Sequence, residues 1–328
     1  MRILACSDLH GDVAALKRIL KNAERRADIT VIAGDLTAFP RKSEIGIRSI
    51  ERVLTRFFDV KQNAVARYRD EKIIVSFERD KICYDFPEDL AKKFVPSKNR
   101  NFGYLFGLLK KSKTFQNYQS KQLVHILHSL IKCKVPSLIV IGNDDHPSLR
   151  KLINKSEKEQ SNFINIDNKV VNYQDHFFFG YGGAVRKSVK CLNDWEESAC
   201  RKNMRKFMDK FKSLDPLIFV SHCPPHGSLD FTPFRPTLIS PTPTQRCFFF
   251  TQLERGGRHI GSHALREATQ EAQPRYFICG HTHRNGGKME KVGRTTVINV
   301  AAARIHPHFG GRFAIIDTEK DFIEWFNL

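Results

Sequence analysis

The sequence lacks CxxC pairs and long apolar runs, and it is poor in acidic residues. Its eight cysteines are scattered over 328 residues, which argues against a zinc ribbon or a disulfide framework. No apolar run approaches the roughly 18 residues of a membrane-spanning helix. The strand-like stretch RILAC follows Met1 directly, without the apolar region of a secretory leader. We therefore expect no membrane span and a cytoplasmic location.

The shortage of acidic residues leaves a strongly basic chain. Lys and Arg number 54 against 35 Asp and Glu, which gives a formal net charge of +19. This charge favours polyanionic partners such as nucleic acid, phosphorylated metabolites or an anionic membrane surface, and it does not choose among them. With 41% hydrophobic residues the chain can bury a sizeable core. The oligomeric state is left open.

Short apolar runs of four to six residues recur along the chain and indicate buried strands. They occupy residues 2–6, 29–33, 137–141, 177–181, 217–221, 276–279, 295–300 and 312–317. Between the first two runs, Val13, Leu16, Leu20 and Ala23 recur at helical spacing. The chain therefore begins with a strand, a helix and a second strand, which is typical of the α/β class.

Residues 41–136 separate the second and third runs, and we interpret them as a largely helical, basic, cap-like insertion within a single domain of residues 1–328. The stretch 98–134 contains eight basic residues and no acidic residue, interleaved with Phe and Tyr. Such a mixture can follow a nucleic-acid backbone. The alternative, which we favour, is a helical cap with buried aromatic side chains and solvated lysines.

Polar residues follow five of the apolar runs, in the segments CSDLHGD, AGDLT, GNDDH, SHCPPHG and CGHTHRN. In an α/β sheet the carboxyl ends of the strands meet at one crevice, so these side chains can converge. The candidate metal ligands are Asp8, His10, Asp35, Asn143, His222, His281 and His283. Carboxylates, imidazoles and an amide without a thiolate suit Mn or Fe, with Zn, Co or Ni as alternatives, rather than Ca²⁺.

The order of these motifs resembles that of the calcineurin-like metallophosphoesterases. SHCPPHGSLD, GSHALREA and CGHTHRNGG are similar to the small phosphodiesterase branch that includes the brain-type metallophosphoesterase-domain proteins and archaeal relatives. The resemblance covers residues 1–40 and 137–317 and leaves out the insertion. It implies a four-layer αββα sandwich of two mixed sheets. It also implies that Asp8, His10, Asp35 and His283 hold one metal ion, and that Asp35, Asn143, His222 and His281 hold the second.

The implied reaction is hydrolysis of a phosphodiester, of a nucleotide or another organic phosphate, by a metal-bridging hydroxide that attacks in line. Asp8 can accept a hydrogen bond from this hydroxide and orient it. The family usually has a histidine after the ligand asparagine, and Asp144 stands in its place here. A carboxyl group with a pKa near 4 is a poor acid at neutral pH unless burial raises that pKa. The leaving group is therefore protonated by Asp144, by His146 or by neither.

The candidate substrate-binding residues are His226, Ser262, His263 and Arg284. Arg284 can pair with a phosphate through two hydrogen bonds. His263 begins a predicted helix whose first N–H groups can receive an anion, although Ser262 can instead cap that helix. Two other functions stay open. One is a nuclease of the same fold that binds DNA or RNA through residues 98–134, and the other is a non-catalytic protein-binding scaffold.

Overall fold

The computed structural model describes residues 1–38, 64–69, 72–77, 80–85, 113–159, 162–185, 192–236, 251–303 and 311–328. The helices are α1 (Val13–Arg26), α2 (Lys113–Lys132), α3 (Leu149–Glu159), α4 (Glu197–Lys212) and α5 (His263–Ala272), with a 3₁₀ turn at His283–Asn285. In the described part of the chain, no helix is both long and apolar enough to cross a membrane.

The strands fall into sheets of different size. They are β1 (Arg2–Cys6), β2 (Ile29–Ala33), β3 (Ala64–Arg69), β4 (Lys72–Phe77), β5 (Asp80–Asp85), β6 (Ser137–Val140), β7 (Phe163–Asn165), β8 (Val170–Tyr173), β9 (His176–Tyr181), β10 (Ala184–Val185), β11 (Asp194–Trp195), β12 (Leu217–Ser221), β13 (Phe231–Pro236), β14 (Thr251–His259), β15 (Tyr276–Cys279), β16 (Lys288–Val292), β17 (Thr295–Asn299), β18 (Arg312–Asp317) and β19 (Phe322–Asn327).

Two mixed six-stranded sheets form the body of the fold. The first has the order β19-β18-β1-β2-β6-β7, and the second has the order β16-β17-β15-β12-β9-β8. In each sheet four neighbouring strands run parallel. They are β1, β2, β6 and β7 in the first sheet and β9, β12, β15 and β17 in the second, while the remaining strands pair antiparallel. All eight apolar runs of the sequence lie on these strands.

Three clusters of buried apolar side chains separate four layers in the described structure. Side chains alternate along a strand, so Leu4 faces the helices α1, α2 and α3, while Ile3 faces the second sheet. The middle cluster joins the two sheets, and a third cluster packs α4 and α5 on the outer face of the second sheet. This arrangement is the αββα sandwich that the resemblance implied.

The segment predicted to be a largely helical insertion also contains strands. Strands β3, β4 and β5 form a three-stranded antiparallel sheet, so the helical prediction is wrong for residues 64–69, 72–77 and 80–85. The reason lies in their composition, because stretches such as KIIVSF are rich in β-branched residues, which favour extended backbone.

The end of the same segment is helical, and it belongs to the helix layer. Leu123, Ile126 and Leu130 of α2 are buried in the cluster that covers the first sheet. The part of the basic stretch at 98–112 lies outside the described residues. The division of the chain into one domain with an inserted cap stays an interpretation.

Two phenylalanines test the packing of the second sheet. Phe219 is 2% exposed and packs against Phe179, Phe211 and Phe277, whereas Phe322 is 58% exposed. We expect Phe219→Ala to lower the free energy of unfolding by about 3–5 kcal/mol, because a buried ring leaves a cavity. Phe322→Ala should change it by less than about 0.5 kcal/mol. Urea unfolding followed by circular dichroism measures both, and equal effects would contradict the layer arrangement.

Candidate metal centre

The seven candidate ligands lie on loops that follow the carboxyl ends of five parallel strands. Asp8 and His10 follow β1, Asp35 follows β2, and Asn143 follows β6. On the second sheet, His222 follows β12, and His281 and His283 follow β15. The two sheets therefore contribute to one site at their shared edge, as the strand pattern predicted.

Several of these residues adopt the left-handed backbone conformation, which residues other than glycine normally avoid. The φ angles are 58° at Asp8, 45° at His10, 49° at Asp35 and 66° at His281. Left-handed backbone costs a non-glycine residue about 1–2 kcal/mol. Hydrogen bonds from Asp8 N to Gly34 O (3.0 Å) and from His10 N to Asp35 O (2.9 Å) hold it in place. Strain of this kind concentrates at functional sites, where the surrounding structure stabilises it.

One group of donor atoms forms around Asp8. His283 Nε2 lies 2.9 Å from Asp8 Oδ1 and 3.2 Å from His10 Nε2. His10 Nε2 is also 3.8 Å from Asp8 Oδ1 and 3.9 Å from Asp35 Oδ2. The donor atoms of Asp8, His10 and His283 all lie within 4.8 Å of one another. An imidazole pair and a carboxylate in this arrangement can hold one divalent cation.

A second group forms around the buried His222. Its Nε2 lies 2.8 Å from Asn143 Oδ1 and 3.4 Å from Asp35 Oδ2, and the His281 ring is 5.1 Å away between centroids. His222 Nδ1 donates to Ala33 O over 2.9 Å. This contact directs the other ring nitrogen, Nε2, at the same space as the two oxygens. Donor atoms that converge in this way fit a second cation, which would displace the proton of His222, with Asp35 shared between the groups.

The charges of the buried carboxylates make the candidate metal centre favourable for a bound cation. Burial opposes ionisation of Asp8, but His283 and the neighbouring histidines hold its pKa below the usual range. Burial also opposes charge on His222, yet Asp35 raises the pKa of His222 to about 10. Burial and the nearby His222 lower the pKa of His281 to about 4. The carboxylates thus attract cations, while His281 keeps an unprotonated nitrogen for one.

Glycines let the loops approach each other at this edge. A Cβ atom on Gly142 would lie 1.9 Å from Asp35 Oδ1, and one on Gly280 would lie 2.4 Å from Asp8 Oδ2. Both distances are far below van der Waals contact. The carboxylates of both groups therefore require glycine in the adjoining loop.

Asp144 lies among the donor atoms of the candidate metal centre, whereas His146 forms a hydrogen bond with Ser148. Donor atoms of His10, Asp35 and Asp144 lie within 4.8 Å of one another, and Asp144 Oδ1 accepts from Asn143 Nδ2 over 2.7 Å. Burial and then the charge of Asp35 raise the pKa of Asp144 well above its usual value. The buried His146 accepts a hydrogen bond from Ser148 N at Nδ1 over 3.1 Å.

Asp145 is a positioning residue that the sequence reasoning missed. Its buried carboxylate accepts from Gly142 N (2.8 Å), Leu36 N (3.0 Å), Thr37 N (2.8 Å) and Thr37 Oγ1 (2.7 Å). Asp145 thereby ties the loop after β6 to the loop after β2. In the sequence, Asp145 is recognisable only as an acidic residue close to the predicted ligand Asn143. Asp144 shares this feature, so the sequence does not tell the two aspartates apart.

Helix α2 also binds the loop after β6, through the side chain of Gln119. Gln119 Nε2 donates to Asp144 O over 2.8 Å, and Gln119 Oε1 accepts from His146 N over 2.7 Å. Gln119 is buried. No sequence signal distinguishes this glutamine from other residues of α2, because its role depends on tertiary packing.

The candidate substrate residues have different surroundings. Ser262 is buried, and its Oγ donates to Glu197 Oε2 (2.8 Å) and accepts from Leu265 N. Glu197 also accepts from His263 N and Ala264 N, both over 3.0 Å. The start of α5 is therefore capped by protein groups. The expectation that its N–H groups receive a substrate anion is wrong at these two amides, because a carboxylate already binds them.

The other two candidates lie toward solvent. Arg284 is exposed on the 3₁₀ turn that begins at His283, one of the candidate ligands of the Asp8 group. His226 is half-buried, and its ring stacks on the exposed His263 with centroids 3.7 Å apart. Both therefore lie on loops that also carry a candidate ligand, His283 in one case and His222 in the other.

Comparison with known proteins gives one family. The model of the calcineurin-like phosphoesterase family matches residues 1–75 and 110–285. An uncharacterized protein, MJ1162 of Methanocaldococcus jannaschii, is 23% identical over 163 residues, which are 49% of this chain and 60% of the relative. The match thus spans less than two thirds of that relative's length.

Solved structures show the same fold. The crystal structure of TT1561 of Thermus thermophilus aligns over 99% of this chain and 98% of its own, with a TM-score of 0.53 and 15% identity. Another crystal structure covers the same shares of the two chains with a TM-score of 0.54 and 17% identity. At these identities the likeness concerns the fold alone.

The four hydrogen bonds to Asp145 can be tested by removing its charge. We expect Asp145→Asn to lower the free energy of unfolding by about 2–3 kcal/mol, because an amide NH₂ would face buried N–H and O–H donors. Asp209→Asn, on the exposed face of α4, is the matched control and should have little effect. Urea unfolding measures both variants. An Asp145→Asn protein as stable as the control would contradict the positioning role.

Proposed function

The chain belongs to the calcineurin-like phosphoesterase family, and on that premise we propose that it hydrolyses phosphodiesters with two divalent metal ions. The supporting observation is the convergence of Asp8, Asp35 and His222, whose donor atoms lie within 4.8 Å of one another in a buried site. Burying two carboxylates costs several kcal/mol unless positive charge offsets it. A protein-binding scaffold has no need for such an arrangement.

We assign one ion to Asp8, His10, Asp35 and His283, and the other to Asp35, Asn143, His222 and His281. The donor set holds oxygen and imidazole nitrogen without a thiolate, which supports Mn or Fe, with Zn, Co or Ni as alternatives. When bound, two such ions neutralise the ester oxygens and lower the pKa of the attacking water.

The side chains around this site orient the reactants. Asp8 Oδ2 accepts from His281 N over 3.1 Å, which fixes the carboxylate. From that position Asp8 can accept a hydrogen bond from the attacking water and align it with phosphorus. We assign Arg284, on the exposed turn beside His283, to pairing with a phosphate oxygen of the substrate.

We propose Asp144 as the residue that contacts the leaving oxygen. Asp144 stands at the donor cluster with His10 and Asp35. His146 is less suited to this role because the groups of converging donor atoms in the described part of the chain include Asp144 and do not include His146. Nucleic-acid binding through residues 98–134 and a cytoplasmic location stay predictions.

The metal-dependent activity can be measured directly. We expect the protein with Mn²⁺ to hydrolyse bis(para-nitrophenyl) phosphate, and a chelator to abolish turnover. Asp35→Asn and His222→Ala should each lower kcat/KM by roughly 100-fold or more, because each removes a ligand of the ions that activate water. His128→Ala, an exposed residue of α2, serves as the control and should retain full activity. Turnover that survives both ligand substitutions would refute the metal assignment.

The role of Asp144 predicts a dependence on the leaving group. Asp144→Asn should slow a diester with an alcohol leaving group by about 100-fold, the size of a general-acid contribution. It should affect a para-nitrophenyl ester much less, because nitrophenolate leaves without a proton. His146→Asn, whose Oδ1 can replace Nδ1 as the acceptor for Ser148, should not show this difference. If His146→Asn shows it and Asp144→Asn does not, the assignment is reversed.

A further inference from the structure

Four aromatic rings form a continuous surface beside the metal centre. His226 stacks on His263 at 3.7 Å between centroids with planes 20° apart, and it lies 5.1 Å from His259. His259 in turn contacts the ring of Phe231 at 5.4 Å. We call His226, Phe231, His259 and His263 the aromatic patch.

The aromatic patch is open to solvent at several points. Phe231 is 42% exposed, and it is one of only four large apolar residues that are exposed in the described part of the chain. The His259 side chain is 43% exposed, and His263 is also exposed. An exposed phenylalanine among imidazole rings presents π-faces on which a flat aromatic group can stack.

Buried contacts hold the aromatic patch in position. The buried Asp230 accepts from His259 Nδ1 over 2.6 Å and from Gly261 N over 2.9 Å. His226 N donates to Ser262 O over 2.9 Å. The buried carboxylate therefore fixes the His259 ring, and the backbone bond anchors the chain at His226, so this part of the aromatic patch loses little side-chain entropy when a ligand binds.

The aromatic patch adjoins the loops that carry the ligands. Asn285 Nδ2 donates to Leu229 O over 2.9 Å and to Phe231 O over 3.1 Å, and Asn285 is two residues after His283. On the other side, His226 is four residues after His222, so their Cα atoms are at most about 14 Å apart. A phosphodiester bound at the metal centre can therefore extend one of its substituents onto these rings.

The arrangement does not suit a third metal ion. The rings of His226 and His263 are nearly parallel and stacked, so their in-plane lone pairs cannot converge on one point. The groups of described residues whose donor atoms lie close enough together for a metal ion contain none of the patch histidines. Stacking on a flat ligand is the role that this geometry favours.

We propose that the aromatic patch binds the nucleobase of a nucleotide phosphodiester, an inference that rests on the proposed function. Nucleobases stack on Phe and His side chains in proteins, and such stacking tolerates any base. The net charge of +19 favours an anionic ligand of this kind. The non-leaving nucleoside would lie over Phe231 and His263 while its phosphate lies at the metal centre.

Two esters with the same leaving group test the proposal. The para-nitrophenyl ester of thymidine monophosphate carries a base, and ethyl para-nitrophenyl phosphate does not. The preference is measured as kcat/KM for the thymidine ester divided by kcat/KM for the ethyl ester. For the wild-type protein with Mn²⁺ this ratio should exceed one. Phe231→Leu should reduce this ratio by roughly 10-fold, because base stacking on one aromatic ring has about this value. Phe231→Tyr keeps a ring and should keep the ratio.

Controls separate the possible failures. His176→Ala, at the start of β9 and so at the opposite end of the second sheet, should leave the ratio unchanged. No hydrolysis of either ester would refute the proposed function itself. Hydrolysis of both with equal kcat/KM, or a Phe231→Leu variant that keeps the preference, would refute the aromatic patch alone.

A competition experiment shows whether the base that binds the aromatic patch comes from a small nucleotide or from the end of a nucleic acid. Thymidine monophosphate and a short oligothymidylate are added as inhibitors of the turnover of ethyl para-nitrophenyl phosphate. The one that inhibits at the lower concentration shows whether the base belongs to a small nucleotide or to a nucleic-acid end. If neither inhibits, the proposal is overturned.

Discussion

The buried negative charge of Asp8 and Asp35 is the constraint on which the rest of the site depends. Both carboxylates are almost fully shielded from water, and each unpaired buried charge costs several kcal/mol, which is a large share of a typical domain's stability. Imidazoles at 2.9 Å and 3.4 Å compensate part of this charge, and the proposed cations compensate the rest. The left-handed backbone at Asp8 and Asp35 and the glycine at position 142 follow from the need to bring these groups together.

The two sheets supply the rigidity that such a cluster needs. Parallel strands end at one edge, so short loops suffice to converge on it. Asp145 joins the loops after β2 and β6, and Gln119 joins the latter loop to α2. The segment predicted to be an insertion therefore contributes, through α2, to the position of Asp144. Hydrogen bonds to these packed elements hold the candidate ligands in place, which would limit the reorganisation needed on binding of an ion.

Local patterns are sufficient to predict the strands, and they also indicate which polar residues follow the strand ends as candidate ligands, because each pattern depends on a few neighbouring residues. The runs ITVIA and LIFVS are buried on both faces, so their apolar character is continuous and visible in the sequence. Roles that depend on contacts distant in the chain were not predictable. Glu197 binds the start of α5 some 65 residues away, and Asp145 binds amides more than 100 residues away. The strands at 64–69, 72–77 and 80–85 depart from the largely helical prediction, because β-branched stretches such as KIIVSF favour extended backbone locally.

We propose that the two metal ions share Asp35 as a ligand. The most direct measurement is a titration of the metal-free protein with Mn²⁺, followed by electron paramagnetic resonance and by metal analysis after dialysis. We predict two ions per chain and a spectrum of exchange-coupled Mn²⁺, because two ions bridged by a carboxylate lie about 3.5–4 Å apart. A single ion per chain, or two ions with the spectrum of isolated Mn²⁺, would contradict the account.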